Sequence, residues 1–237
     1  MILGLAGRTV LQLAQSYGFS GIALVSLNLS TLAEQTHPRG EFRELLEQLY
    51  RERTLIPFST GQSIPLRSEE LWVICRGAVQ LYTIQPDGSE TLLGLLGPSM
   101  PLGLPLTTVD PYWATALTDV DLLSLSMVEV ESSPVLMAGL FRHLTLRLQQ
   151  TEAWLSLAGK RLVADRLRHL LILIAKEFGQ VEPDGVHIML RLTHHQLATA
   201  IGTTRVTVTR LLKDFRDEGW LMVDQRQMIV AAYVFKY

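Results

Sequence analysis

The chain has a single cysteine, Cys75, among its 237 residues. One thiol excludes an internal disulfide, and it excludes an iron–sulfur cluster or zinc site built only from cysteines within one chain. Cys75 ends the apolar, strand-like run Leu71-Trp72-Val73-Ile74-Cys75, so a buried and inert thiol is expected there rather than a redox sensor. The six histidines are scattered. His194 and His195 are neighbours, which points them in different directions on a helix and denies them the i,i+4 spacing of a two-histidine metal site. No cluster of histidines and carboxylates falls in the strand-like segments. That argues against a catalytic metal, and so against an enzyme built on a cupin-like roll.

Charge is missing from one long stretch, Thr9 to Ala33, yet Gln12, Gln15, Ser16, Ser20, Ser26, Asn28 and Ser30 interrupt its apolar positions. No run therefore reaches the roughly 18 apolar residues that a membrane helix needs. The start also lacks the cationic cluster of a secretory signal. Residues 1–38 read as an extension of uncertain status. An appended amphipathic segment and a translation start placed too far upstream both fit it, and the second is the simpler. With 48% hydrophobic and 19% charged residues, the chain is neither disordered nor fibrous, and it is long enough for two domains with their own cores.

Against these absences stands one dense motif, from Leu192 to Lys213. Thr193 with Gln196 three positions later is a capping-box start, and Leu197, Ala200 and Ile201 then share one helical face until Gly202 ends the helix. Thr203 or Thr204 can cap a second helix, with Val208, Leu211, Leu212 and Phe215 inward, that stops at Gly219. Arg205, Val206, Thr209 and Arg210 are left outside near its amino end, the part that meets base edges when such a helix lies in the major groove. Two short helices joined by glycine also occur in ordinary bundles, where an outer arginine is merely solvated. The residues that follow decide between them. Trp220-Leu221-Met222-Val223, the turn Asp224-Gln225-Arg226-Gln227 and Met228-Ile229-Val230 read as a hairpin, which makes the unit a winged helix with Arg226 at the wing tip facing a phosphate. His194, Thr204, Thr207 and Lys213 complete the expected DNA-contact set, His194 and Lys213 through phosphate.

The net charge of −2 conceals an asymmetry that agrees with this reading. From Lys160 onward there are 12 Lys and Arg against 8 Asp and Glu, whereas the first 159 residues carry 9 against 15. One end is suited to phosphates and the other is not. Nucleic-acid binding in turn places the protein in the cytoplasm.

Upstream, Glu41 to Leu55 has helical spacing at Phe42, Leu45, Leu46 and Leu49, and Pro57 opens a texture of short strands and turns to about Asp121. Gly61, Gly77, Asp87-Gly88, Gly94, Gly97-Pro98 and Gly103 punctuate it, with Asp87-Gly88 a tight-hairpin signal. This predicts a small antiparallel β-roll. From about Val128 the period becomes 3.6, and a long helix through Leu157 carries Leu136, Leu140, Leu144, Leu148, Leu155 and Leu157 as an apolar band suited to a dimer seam. Gly159 breaks it. A further helix, Lys160 to Phe178, turns Leu167, Leu170, Leu171 and Ile174 inward, and a loop from Gln180 to Gly185 precedes a strand from Val186 to Leu192. The fold class is α+β. Its parts are an amino-terminal extension (1–38), a cyclic-nucleotide-binding-like β-roll (39–127), a dimerisation helix (128–159) and a winged helix-turn-helix (160–237).

In that order these parts resemble the CRP/FNR superfamily of bacterial transcription regulators from about Gly40 to the end. Gly61-Gln62, Gly77-x-Val79-x-Leu81-Tyr82 with Pro86-Asp87-Gly88, and the helix-turn-helix carry the likeness. Gln149-Gln150-Thr151-Glu152 and the more specific Gly202-x-Thr204-Arg205-Val206-Thr207-x-Thr209-Arg210-Leu211-Leu212 look like the superfamily's cyanobacterial nitrogen-regulating branch. The resemblance implies a homodimer on palindromic double-stranded DNA, with RNA polymerase as a further partner and no membrane. Since Val206 stands where cyclic-AMP-dependent relatives have glutamate, it also implies a GTA…TAC-like operator.

Departures from the family bear on what the roll senses. Cyclic-nucleotide binders match the buried phosphate with an arginine and the ribose with a glutamate. Here Leu102-Gly103-Leu104-Pro105-Leu106 and Asp110-Pro111-Tyr112-Trp113-Ala114 occupy those places, which argues against cyclic AMP. The nitrogen-regulating branch binds 2-oxoglutarate, and by resemblance Leu102, Gly103, Leu104, Pro105, Leu106, Arg147 and Glu152 are the effector set. Asp110, where that branch has an arginine, would repel a dicarboxylate and makes the ligand doubtful. Arg147 lies on the apolar band, where burial is costly without a partner, and Glu152 lies about 140° around the same helix. A partner chain or a bound acid is therefore expected to meet Arg147, a plain intersubunit ion pair being the simpler case. The alternative to a regulator is a ligand-independent winged-helix protein-interaction module with a degenerate sensor domain.

Overall fold

The computed structural model describes residues 51, 53–225 and 227–235. The extension before Pro38, residues 41–50 of the helix expected over Glu41 to Leu55 and the wing-tip residue Arg226 lie outside these; Arg51 is helical and residues 53–55 are not.

The first half is a β-roll. Its strands are β1 (Ile56–Phe58), β2 (Glu70–Arg76), β3 (Val79–Ile84), β4 (Glu90–Leu96), β5 (Pro101–Leu102), β6 (Trp113–Ala116) and β7 (Val120–Ser126). They form two antiparallel sheets, ordered β1-β7-β2-β5 and β4-β3-β6. Strand alternation explains why the sheets stack. On β3, Val79, Leu81 and Thr83 are buried while Gln80, Tyr82 and Ile84 face outward. β2 is buried on both faces, as its unbroken apolar run demands. Trp72 and Ile74 enter the core between the sheets with Val79, Leu81, Leu102 and Tyr112, whereas Leu71 and Val73 pack outward with Leu123, Leu125, Val130 and Leu140. Cys75 is half-buried rather than buried, because it falls on this outer face near the strand end. The β3–β4 hairpin closes at Asp87-Gly88 as expected, with Gly88 at φ +82° and the Asp87 carboxylate accepting from the Ser89 amide at 2.9 Å. The Ser89 hydroxyl, with that amide bond, holds the Asp87 carboxyl below its ordinary value.

The long helix differs from expectation. It is two helices, α1 (Met127–Ser132) and α2 (Pro134–Ala158), because Pro134 cannot continue a helix but suits a first helical position, and Ser133 caps the restart by accepting from the Leu136 amide. The apolar residues also divide. Leu136, Leu140 and Leu157 are buried against their own chain, while Met137, Phe141, Leu148 and Leu155 form a second, exposed stripe. At about 100° per residue, the two stripes lie roughly a third of a turn apart. The single band read from the sequence is thus two faces, and the leucines at 148 and 155 belong to the outer one.

After Gly159 the chain forms α3 (Val163–Phe178), the hairpin β8 (Gly179–Glu182) and β9 (Gly185–Ile188), then α4 (His194–Ile201), α5 (Arg205–Asp217), β10 (Leu221–Asp224) and β11 (Gln227–Ala231). α3 starts three residues later than expected. The stretch expected as a loop from Gln180 is strand β8, an exposed edge with little apolar signal, and β9 ends at Ile188 instead of Leu192. The four strands order as β10-β11-β9-β8.

The two halves share a core. Ala78 and Leu95 from the roll join Leu170, Ile174 and Leu197 from the helical half, with Leu92 and Trp154 packed alongside. Gln150 on α2 donates to the Leu95 carbonyl at 3.0 Å, and Gln196 on α4 donates to the Gln80 side-chain oxygen at 3.1 Å. Burial of this surface ties the helix-turn-helix to the outer face of the three-stranded sheet.

Candidate nucleic-acid interface

α4 and α5 are set by their caps. The Thr193 hydroxyl accepts from the Gln196 amide at 3.1 Å and the Gln196 side-chain oxygen accepts from the Thr193 amide at 2.8 Å, so both halves of the capping box form. Gly202 adopts φ +62°, ψ +56°, the left-handed conformation that closes a helix at little cost only in glycine. Thr204, not Thr203, caps α5, its hydroxyl accepting from the Thr207 amide at 3.2 Å. Val208, Leu212 and Phe215 then face the core, with Leu211 half-buried.

α5 is braced from behind by an aromatic and cationic cluster. The Phe215 and Trp220 rings lie 5.4 Å apart, and the Arg168 guanidinium sits 4.1 Å from the Phe215 ring centre. Arg168 also pairs with Glu218 at the end of α5. Gly219, at φ +70°, turns the chain into β10, and the β10–β11 hairpin pairs Leu221 with Val230 through Asp224 with Gln227. This is the expected wing.

What α5 presents outward is one stripe. Arg205, Val206, Thr209, Arg210 and Lys213 are all exposed, Val206 at 78%. Around the helix they span about 140°, opposite the buried face. An isolated valine so exposed beside two arginines has no packing role in the chain. Thr204 and Thr207, expected as DNA contacts, serve the cap as well, their hydroxyls 3.0 Å apart. His194, expected to meet phosphate, places Nδ1 2.7 Å from the Thr209 hydroxyl.

The expected effector set is not assembled in this way. Leu102 is a fully buried core residue of β5, and Gly103 opens a 3₁₀ turn over Leu104, Pro105 and Leu106. Gly103 is required there, because a Cβ would come within 2.8 Å of the Glu70 carbonyl. Arg147 is half-buried on the roll-facing side of α2, and it finds its partners within the chain. It donates to the Pro101 carbonyl at 3.1 Å and to the Tyr112 hydroxyl at 2.9 Å. Where a partner chain or a bound acid was expected to meet Arg147, the chain itself supplies two neutral acceptors. These oxygens engage two of its five N–H donors, and neither cancels its charge. Burial raises the Tyr112 pKa against the opposing effect of Arg147, so the phenol stays protonated at neutral pH. Glu152 is exposed, and the helix carries it away from Arg147. Tyr112, Gln80 and Gln150 were missed as structural partners. Tyr112 stood in the very segment noted only for lacking an arginine. Among the described residues, no group of three His, Cys, Asp or Glu could hold a metal ion, and no helix is long and apolar enough to cross a membrane.

Comparison with known proteins agrees with this geometry. Residues 165–232 match the Crp-like helix-turn-helix domain. The chain is 33% identical over 200 residues to the global nitrogen regulator of Nostoc sp. strain PCC 7120, covering 81% of this chain and 87% of that relative. It is 36% identical over 170 residues to the regulatory protein CysR of Synechococcus elongatus, covering 70% and 79%. In fold it is similar to a cyclic nucleotide-binding domain containing protein from Listeria monocytogenes, with a TM-score of 0.69 at 15% identity over 80% of this chain and 98% of that one. With likeness to regulators spanning roll and helix-turn-helix alike, and an exposed, capped recognition helix to match, the chain belongs to the CRP/FNR family of DNA-binding transcription regulators.

Proposed function

We propose that this regulator works as a homodimer on a palindromic GTA…TAC-like operator, and that it does so without 2-oxoglutarate or a cyclic nucleotide. The observation that carries the operator reading is the α5 stripe. Arg205 and Arg210 offer bidentate contacts to guanine, and Val206, with no polar atom, matches a thymine methyl. The exposed α2 stripe of Met137, Phe141, Leu148 and Leu155, with the last three spaced by sevens, supports a second copy as its cover. Two recognition helices related by the dimer axis would then meet half-sites about one helical turn apart. The proposal extends to a cytoplasmic location, a non-catalytic role and RNA polymerase as a further partner, on likeness to the family's regulators.

The effector reading rests on Arg147. Its two hydrogen bonds to Pro101 and Tyr112 hold it within the chain, and Asp110, two residues from Tyr112, brings a negative charge that opposes a dicarboxylate. Selection from random DNA followed by calorimetry tests both parts. We expect a two-fold symmetric GTA-containing site, and no measurable heat with 2-oxoglutarate or cyclic AMP. A selection that returned no palindrome would refute the first part, and tight 2-oxoglutarate binding would refute the second.

A further inference from the structure

We propose that Thr209 reads a thymine methyl, and that His194 is the positioning residue that makes it do so. This rests on the reading of α5 as the helix that enters the major groove.

A threonine in a recognition helix can meet DNA through its hydroxyl or its methyl, and these select different bases. In this structure the hydroxyl is engaged on both sides by protein. It lies 2.9 Å from the Arg205 carbonyl, one turn back, and donates to it. A hydroxyl has one proton, so with that proton on Arg205 the oxygen must accept from His194 Nδ1 at 2.7 Å. This arrangement requires the His194 tautomer with its proton on Nδ1. Its backbone is pinned as the first residue of α4, next to the capping box of Thr193 and Gln196. The imidazole thus bridges the two helices and, with the Arg205 carbonyl, occupies the Thr209 oxygen. Thr209 remains exposed, and the part left to face outward is its methyl.

Position strengthens the inference. Thr209 lies between Arg205 and Val206 around the helix, about 60° from Val206 and one turn along from it. The two residues form an apolar pair flanked by arginines. A GTA half-site has two thymines in neighbouring base pairs on opposite strands, one for each member of the pair. His194 accordingly serves specificity, whereas a phosphate contact would serve affinity for every sequence.

Deoxyuridine lacks only the thymine methyl, so replacing each thymine of the selected half-site in turn isolates the contact. For the wild-type dimer we expect about a 4-fold loss of affinity at each position, the size of one buried methyl group. Thr209→Ser, which keeps the hydroxyl, should abolish the loss at one thymine only, and Val206→Ala should abolish it at the other. Thr209→Val should keep both. His194→Ala should bring the Thr209 thymine/uracil ratio close to one, yet have no effect on that ratio in the Thr209→Val background. Thermal unfolding of each variant confirms that it is folded. A full ratio retained at both thymines by Thr209→Ser, or lost operator affinity in Thr209→Val, would overturn the methyl contact. An equal loss on thymine and uracil operators in His194→Ala would overturn its positioning role in favour of phosphate binding. Failure of the wild-type protein to select any operator would overturn the groove reading itself, a distinct result.

Discussion

On α5 the arginines, Val206 and Lys213 point away from the protein, whereas Arg147 on α2 points toward the roll and bonds to Tyr112 and Pro101. Both regions place cations beside apolar residues, and both descend from the same family pattern. They differ in whether those groups already have partners. An exposed valine between two arginines is a surface that nothing in the chain uses, and a family of DNA-binding regulators supplies its partner. An arginine with two neutral oxygens at hydrogen-bonding distance is a tie between a helix and a sheet. Unused surface marks the site for a macromolecule, while hydrogen bonds made within the chain mark a tie between elements of the fold.

The largest test of this contrast concerns the stripe on α2, which is unused in the same sense. Phe141 is 71% exposed, so Phe141→Glu should leave the single chain folded while placing like charges across the seam. The dimer should become a monomer, and operator affinity should fall on the order of 100-fold, because two linked half-site contacts become one. Light scattering that still shows a dimer would remove the seam from the account.

Next in size are the two kinds of cation on α5. Arg205→Ala should cost about 1–3 kcal/mol on the operator and relax the choice of base at one position. Lys213→Ala should weaken every sequence similarly and lower the salt slope by about 1. Binding measured at several salt concentrations on operator and scrambled DNA distinguishes them. If Arg205→Ala left the preference for operator intact, the base-reading role of α5 would be lost.

How much of this could be seen in the sequence follows from the range of the interactions involved. Thr193, Gln196, Gly202, Thr204 and Gly219 act on residues within a few positions of themselves, so caps and stops appeared at their observed places. The Asp87-Gly88 hairpin did so for the same reason. Long-range packing was less visible. Leucines at 3.6-residue spacing cannot say which of two faces they share, so the buried Leu136 and Leu140 and the exposed Leu148 and Leu155 were merged. Ser133-Pro134 did contain the break between α1 and α2, and the continuity of the apolar period hid it. The Arg147 to Tyr112 bond spans 35 residues. No local pattern could have paired them, and the missing family arginine drew notice away from the tyrosine two residues later.

Tyr112→Phe probes that tie directly. It keeps the buried ring and removes one acceptor from Arg147, which should lower stability by about 1–3 kcal/mol while leaving operator affinity unchanged. Asp110→Arg should in turn introduce 2-oxoglutarate binding if the remaining pocket is intact. A loss of DNA binding in Tyr112→Phe at a temperature where the protein is folded would show that the roll still controls the helix-turn-helix through this bond.

The smallest effect sharpens the comparison at the place where the two regions meet. Gln196 does two tasks, capping α4 with its oxygen and donating to Gln80 with its nitrogen. Gln80→Ala removes the second task and leaves the first. One partly buried neutral hydrogen bond contributes about 0.5–1.5 kcal/mol, far less than the apolar contact of Leu92 and Leu95 with α4. The DNA-binding half should therefore stay docked, with faster amide exchange at the start of α4 and a change in operator affinity below about threefold. A tenfold change would mean that this amide pair, rather than the surrounding apolar surface, holds the recognition helix in its pose. Unaltered exchange from Thr193 to Leu197 would mean that the bond contributes nothing to the tie between the halves.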